Sequence, residues 1–150
     1  MSDSLMLTGP SRPAASGNLR QLVILLHGLG ADGHDLFALT DDLADALPDA
    51  AFIAPHAPFP CDMAPYGYQW FSLRDWSEQS MWEGVSAAAP ILNAFVDAQR
   101  AQHGLTDSQI ALLGFSQGTM TALHAALRRP APVAGIVGFS GALVGPQFLR

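Results

Sequence analysis

The chain of 150 residues has no lysine; its seven basic side chains are all arginine. That absence excludes a Walker-type phosphate loop, a pyridoxal Schiff base and a Ser-Lys dyad, each of which needs the amine. Cysteine occurs once, as Cys61, so neither an internal disulfide nor a cysteine-rich zinc site can form. Cys61 reads as a packed or incidental loop thiol. Charge is scarce at 13% of residues, and the net of −6 lacks the basic footprint of a nucleic-acid binder. Apolar runs are short: Leu22 to Leu26 falls far below the ~20 residues of a membrane-spanning helix. No stable membrane insertion is expected. The start, Met1-Ser2-Asp3-Ser4, is acidic, and Leu5 to Leu7 is too short for a signal-peptide core. The cytoplasm is therefore the expected compartment. No H-E-x-x-H occurs, and His34 and Asp35 are merely adjacent, so no metal site is expected. One further shortage bears on chemistry: between Gln117 and Arg150 there is no Asp or Glu, and the only histidine is His124.

What is present suffices for one domain with a real core, since 49% of the residues are hydrophobic. Thr8 to Asn18, rich in Pro, Gly, Ser and Ala, reads as an irregular lead-in. Leu22 to Leu26 is a continuous apolar run, as expected for a strand covered on both faces of a parallel sheet. Asp35 to Leu47 carries Leu36, Leu39, Leu43 and Leu47 at helical spacing and stops before Pro48. Ala51 to Ala54 is a second strand, and Pro55 to Asp75 a loop with four prolines and five aromatics. Trp82 to Gln102 holds a second helix, with a kink or fresh start at Pro90. Ile110 to Leu113, Gln117 to Arg128 and Val133 to Phe139 follow as strand, helix and strand. Such alternation predicts an α/β fold, a mostly parallel sheet with helices on both faces, in one domain over 1–150. Its working loops belong beyond the carboxyl ends of the strands.

Two loops qualify. Gly114-Phe115-Ser116-Gln117-Gly118 lies between an apolar strand and a helix, the setting of a G-x-S-x-G nucleophile elbow. Ser116 is the candidate nucleophile, and side chains at 114 and 118 would collide with neighbouring backbone. Gly138-Phe139-Ser140-Gly141 also follows a strand, but position 142 is Ala142 and no helix opens there. The other loop is His27-Gly28-Leu29-Gly30-Ala31-Asp32-Gly33, whose three glycines let backbone N–H groups turn toward a ligand. The N–H groups of Leu29 and Gln117 could share the charge of a tetrahedral intermediate, as an oxyanion hole does.

These motifs occur in order with Ala54-Pro55-His56-Ala57-Pro58, Tyr68-Gln69-Trp70-Phe71 and Phe139-Ser140-Gly141. Together they resemble the phospholipase/carboxylesterase family of α/β-hydrolases, over about Leu22 to Gly145. The resemblance implies a small serine esterase that needs no cofactor. Its substrates would be small-molecule esters, acyl thioesters or lysophospholipids. It carries over Ser116 as nucleophile and Leu29 and Gln117 as backbone oxyanion donors. It also implies that Trp70 and Phe71 fall in the loop walling the acyl site, although both could simply pack beneath that loop.

The departure concerns the base. Similar proteins continue for about another third of the chain and supply an Asp and then a His after the serine. Neither position exists here. His124 lies about 12 Å along the helix from Ser116, too far for a hydrogen bond. His27 belongs to the glycine loop; His34, His56 and His103 precede the elbow, and of these His56 could approach the site. The expectation is the N-terminal part of an α/β-hydrolase domain, incomplete at its C-terminal end and inactive alone. Val133 to Phe139 would then be an open apolar edge strand. The alternative is a non-catalytic half-hydrolase that binds acyl groups or dimerises.

Overall fold

A computed structural model describes residues 6–148. The acidic start Met1–Ser4, with Leu5, and the last two residues lie outside the described residues. Strand β1 (Ser11–Arg12) interrupts the lead-in, and β2 (Gln21–Leu26) follows as expected. The helix expected from Asp35 to Leu47 forms instead as α1 (Gly33–Phe37) and α2 (Thr40–Ala46). The break has a local cause. The Thr40 hydroxyl donates to the Phe37 carbonyl at 2.7 Å and accepts from Arg12 Nη1 at 3.2 Å. A side chain thus competes for a helical carbonyl at the junction.

Strand β3 (Ala50–Ile53) comes next, then a two-rung hairpin of β4 (Phe59–Pro60) and β5 (Tyr68–Gln69) inside the long loop. Helix α3 (Glu78–His103) runs unbroken for 26 residues. Ser77 caps it by accepting from Ser80 N–H, and Gly104, at φ 64°, ends it. Pro90 neither breaks nor restarts it. It sits on the solvent-exposed face, where water can satisfy the carbonyl that loses its partner. Strand β6 (Ile110–Phe115), helix α4 (Gln117–Ala126) and strand β7 (Gly135–Phe139) complete the fold.

Five strands form the main sheet in the order β1-β3-β2-β6-β7, and β4 and β5 pair separately. All neighbours in the main sheet are parallel except β1, which runs antiparallel to β3. Alternate side chains of β2 feed separate cores. Leu22, Ile24 and Leu26 join Ile110 and Leu112 under α3 and α4. Val23 and Leu25 join Phe52 and Ala44 under α1 and α2. Two-sided burial is what the unbroken apolar run foretold. Strand β7 lies at the edge, as expected: Ile136 packs inward, while Val137 and Phe139 are about half exposed.

A buried ion-pair cluster fastens the end of α4 to α3. Arg129 Nε donates to Asp107 Oδ2 at 3.0 Å, and its other nitrogens reach Asn93 and Asp97. Arg100 adds a 2.6 Å bond to Asp107 Oδ1. The Arg129 and Asp107 side chains are only 4% and 2% exposed. The Arg129 guanidinium, helped by Arg100, holds the Asp107 carboxyl below its ordinary range. Asp107→Ala would leave the buried Arg129 guanidinium only Asn93 and Asp97 and is expected to lower unfolding free energy by about 1–3 kcal/mol in urea titrations. Adding Arg129→Met should restore part of the loss.

Candidate active site

Strand β6 turns into α4 through a single residue. Ser116 adopts φ 52° and ψ −116°, a region that non-glycine residues enter only when held there. Its N–H donates to the Phe139 carbonyl at 2.8 Å, and its own carbonyl accepts from Met120 N–H at 3.2 Å. The flanking glycines are sterically required. A Cβ on Gly114 would lie 2.6 Å from Thr119 N, and one on Gly118 2.0 Å from the Leu26 carbonyl oxygen. Ser140 also has positive φ, at 54°, but no helix follows it. Its neighbours serve the elbow instead. Phe139 O accepts a second bond from Thr119 Oγ1, and Gly138 and Gly141 leave room for that threonine.

Strands β2 and β6 pair with Leu26 opposite Gly114, so the loops that follow them emerge side by side. A Cβ on Gly28 would come within 3.4 Å of Ser116 Cβ, which puts the glycine loop directly against the serine. The rest of that loop is anchored to the hairpin. Gly30 N–H donates to Tyr68 O, and Tyr68 N–H donates to Ala31 O, both at 2.8 Å. Gly67, at φ 81°, lies so close that a Cβ would sit 2.1 Å from Gly30 O. Among the described residues, the Leu29 and Gln117 N–H groups donate to no backbone carbonyl.

Beneath both loops lies a buried polar web that the sequence did not reveal. His27 Nδ1 donates to the Gly28 carbonyl at 2.7 Å, and its Nε2 accepts from Ala57 N–H at 2.9 Å. That pairing fixes the neutral tautomer with the proton on Nδ1. The Trp70 indole donates to His27 O at 2.9 Å. The Gln117 amide accepts from Trp70 N–H and donates to Phe71 O. Trp70 and Phe71 are themselves buried, Phe71 lying against Gly84 of α3.

No histidine of the described residues hydrogen-bonds to Ser116. His56 Nδ1 accepts from Gly33 N–H, and its ring neighbours those of His34 and Tyr68. His124 stands edge-on to Trp82, which also carries the Arg128 guanidinium on its face. Its Nδ1 is buried without a partner among the described residues. Burial is the main cause holding both His27 and His124 below the ordinary imidazole value of 6.5.

The parallel sheet, the strained serine between strand and helix, and the adjoining glycine loop together define an α/β-hydrolase. The phospholipase/carboxylesterase family model matches residues 13–150, and the chain belongs to that family of esterase-type hydrolases. It is 28% identical to esterase YpfH of Escherichia coli K12, over 93% of this chain and 57% of that protein. It is 31% identical to acyl-protein thioesterase 1 of Cryptococcus neoformans, over 79% of this chain and 52% of that protein. The chain thus spans about half the length of these curated relatives. Among solved structures, that of esterase PE8 superposes with a TM-score of 0.91 at 44% identity, covering 96% of this chain and 68% of that one. A carboxylesterase from Mesorhizobium loti superposes at 0.69 with 25% identity, covering 96% and 65%.

Two outcomes follow from this geometry. Gly118→Ala meets backbone and is expected to cost more than about 3 kcal/mol of stability. Gly30→Ala meets no atom within 4 Å but keeps φ at 83°; it should cost about 1–2 kcal/mol. Urea midpoints of the two variants test the ranking. The lowered histidines set an acid dependence. Their contribution is unchanged above about pH 7.5, where folded and unfolded imidazoles alike bind few protons. Below it the unfolded chain takes up protons first, so stability falls as pH drops toward the folded values. Melting temperatures between pH 7.5 and pH 5.5 should show this fall, and His124→Leu should lessen it.

Proposed function

We propose that this chain carries the nucleophile and oxyanion hole of a serine hydrolase that cleaves carboxylic esters or acyl thioesters. The observation that carries the reading is Ser116 at positive φ with the glycine loop against its Cβ. Ser116 Oγ attacks the acyl carbonyl carbon while a general base takes the hydroxyl proton. The carbonyl oxygen gains the charge and receives the N–H groups of Leu29 and Gln117, which among the described residues have no backbone partner. As the tetrahedral intermediate collapses, the alcohol or thiol departs with the proton and an acyl-enzyme remains on Ser116. Water, deprotonated by the same base, then releases the acid and regenerates the serine.

We assign the base to a histidine outside residues 1–150. His27 has both ring nitrogens engaged, and His56 Nδ1 is committed to Gly33. Relatives of which this chain spans about half support that assignment. Trp70 and Phe71 back the acyl site from the core side, with their backbones held by Gln117.

Ser116→Ala in the whole protein is expected to reduce kcat/KM on a p-nitrophenyl ester by on the order of 10^4-fold or more, with the fold retained. Retained hydrolysis would sink the assignment. A fluorophosphonate should label Ser116 rapidly in the whole protein and slowly in residues 1–150 alone. Equal rates would place the base within this chain.

A further inference from the structure

Gln117 has a side chain whose work the proposed chemistry leaves unexplained. It begins α4, it is fully buried, and its amide spends both functions on one distant segment. Oε1 accepts from Trp70 N–H at 2.8 Å, and Nε2 donates to Phe71 O at 2.7 Å. Trp70, held this way, aims its indole N–H at the His27 carbonyl. The His27 ring then ties the Gly28 carbonyl to Ala57 N–H. A continuous buried path therefore runs from the residue after the nucleophile to the loop that carries Leu29 N–H.

We infer that the Gln117 side chain is a positioning residue that sets the glycine loop relative to Ser116, through Trp70 and His27. The inference rests on the serine-hydrolase reading, in which the two oxyanion donors are Leu29 N–H and Gln117 N–H. One donor is placed by the backbone of Gln117. The other is placed by its side chain, three hydrogen-bonded steps away. Separation between the donors is thus fixed from a single residue. An ordinary packing role predicts something different: any side chain of similar volume would serve, because volume-conserving core swaps are usually tolerated.

Two substitutions separate these roles in the whole protein. In Gln117→Glu, a neutral carboxyl reproduces the amide: its carbonyl accepts from Trp70 N–H and its hydroxyl donates to Phe71 O. Once ionised it has only acceptors, and one of them faces the Phe71 carbonyl. Burial raises such a carboxyl's pKa, so the change falls between about pH 6 and about pH 9. Relative to wild type, kcat should fall about tenfold across that range while KM moves less, because oxyanion donors act on the transition state. Gln117→Met has neither function and should lose about 10²-fold in kcat at every pH, the effect of one lost oxyanion donor. A readout without catalysis is hydrogen exchange at the Trp70 indole. It should be slow in wild type and faster in Gln117→Met.

A flat ratio of Gln117→Glu to wild-type kcat across the pH range would overturn the inference. So would a Gln117→Met variant within about threefold of wild type. Should the methionine variant fail to fold, the glutamate ratio decides alone. Were Ser116→Ala to remain active, the hydrolase reading would fall; the indole exchange would still decide whether Gln117 controls Trp70.

Discussion

The approach of the α4 N-terminus to the end of β2 is the constraint on which the site depends. Gly118 lies against the Leu26 and His27 carbonyls, at a distance no side chain can share. Because β2 and β6 are paired in register up to Leu26 and Gly114, both chains leave the sheet at the same level. The helix must then start within one residue, and the serine between takes a strained backbone angle. Strain of this kind costs about 1–3 kcal/mol and persists only where surrounding contacts over-determine it. Here those contacts come from three directions: Phe139 O below, Met120 N–H from the helix, and the glycine loop beside Cβ.

Support for that arrangement comes from two cores rather than one. Ile24, Leu25 and Leu26 are each fully buried, with alternate residues facing opposite helix layers. Burial of such side chains stabilises by about 1.5–3 kcal/mol each. A shift of one residue along β2 would exchange the two faces and move the glycine loop away from the elbow. The register that stabilises the sheet is therefore the register that builds the site. At β7 the balance differs. Its inner residue Ile136 packs beneath α4, whereas Val137 and Phe139 remain half exposed, yet Phe139 O still anchors Ser116.

Much of this was legible from residue order. Four of the five sheet strands, the helix after the serine and the need for glycine at 114 and 118 all followed from local patterns, whereas β1 lay unseen in the Pro- and Gly-rich lead-in. What escaped depended on contacts between distant residues. Leu36, Leu39, Leu43 and Leu47 satisfy helical spacing, but Leu39 and Leu47 are more than a third exposed, and Thr40 divides the helix using Arg12 from the lead-in. Helix α3 starts earlier than its apolar stripe because Ser77 supplies a cap, a signal that apolar spacing does not register. Gly67 and Gly84 gave no motif, since their roles, against Gly30 and Phe71, exist only after folding. Arg129 reaches partners 22 to 36 positions away, and the Gln117 amide reaches back 46 and 47. No periodicity reports such separations.

The glycines around Ser116 also bear on where, on the proposed reading, a base approaches. Gly28 lies beside the serine Cβ, Gly114 and Gly118 press on α4 and β2, and Gly141 abuts the Ser116 carbonyl. Each of these positions offers backbone alone, with no side chain between the serine and its neighbours. Of the two buried histidines, His27 is locked neutral as a loop tie and His124 faces Trp82 on α3. On the proposed reading, charge stabilisation is built from contiguous backbone of β2, β6 and α4, whereas proton transfer must arrive over the open side of a half-buried serine. The two functions place opposite demands on structure. Oxyanion donors work through rigid preorganisation. A base needs reach and a titratable ring near the operating pH, which the desolvated interior beneath this site opposes by pulling its imidazoles toward the neutral form.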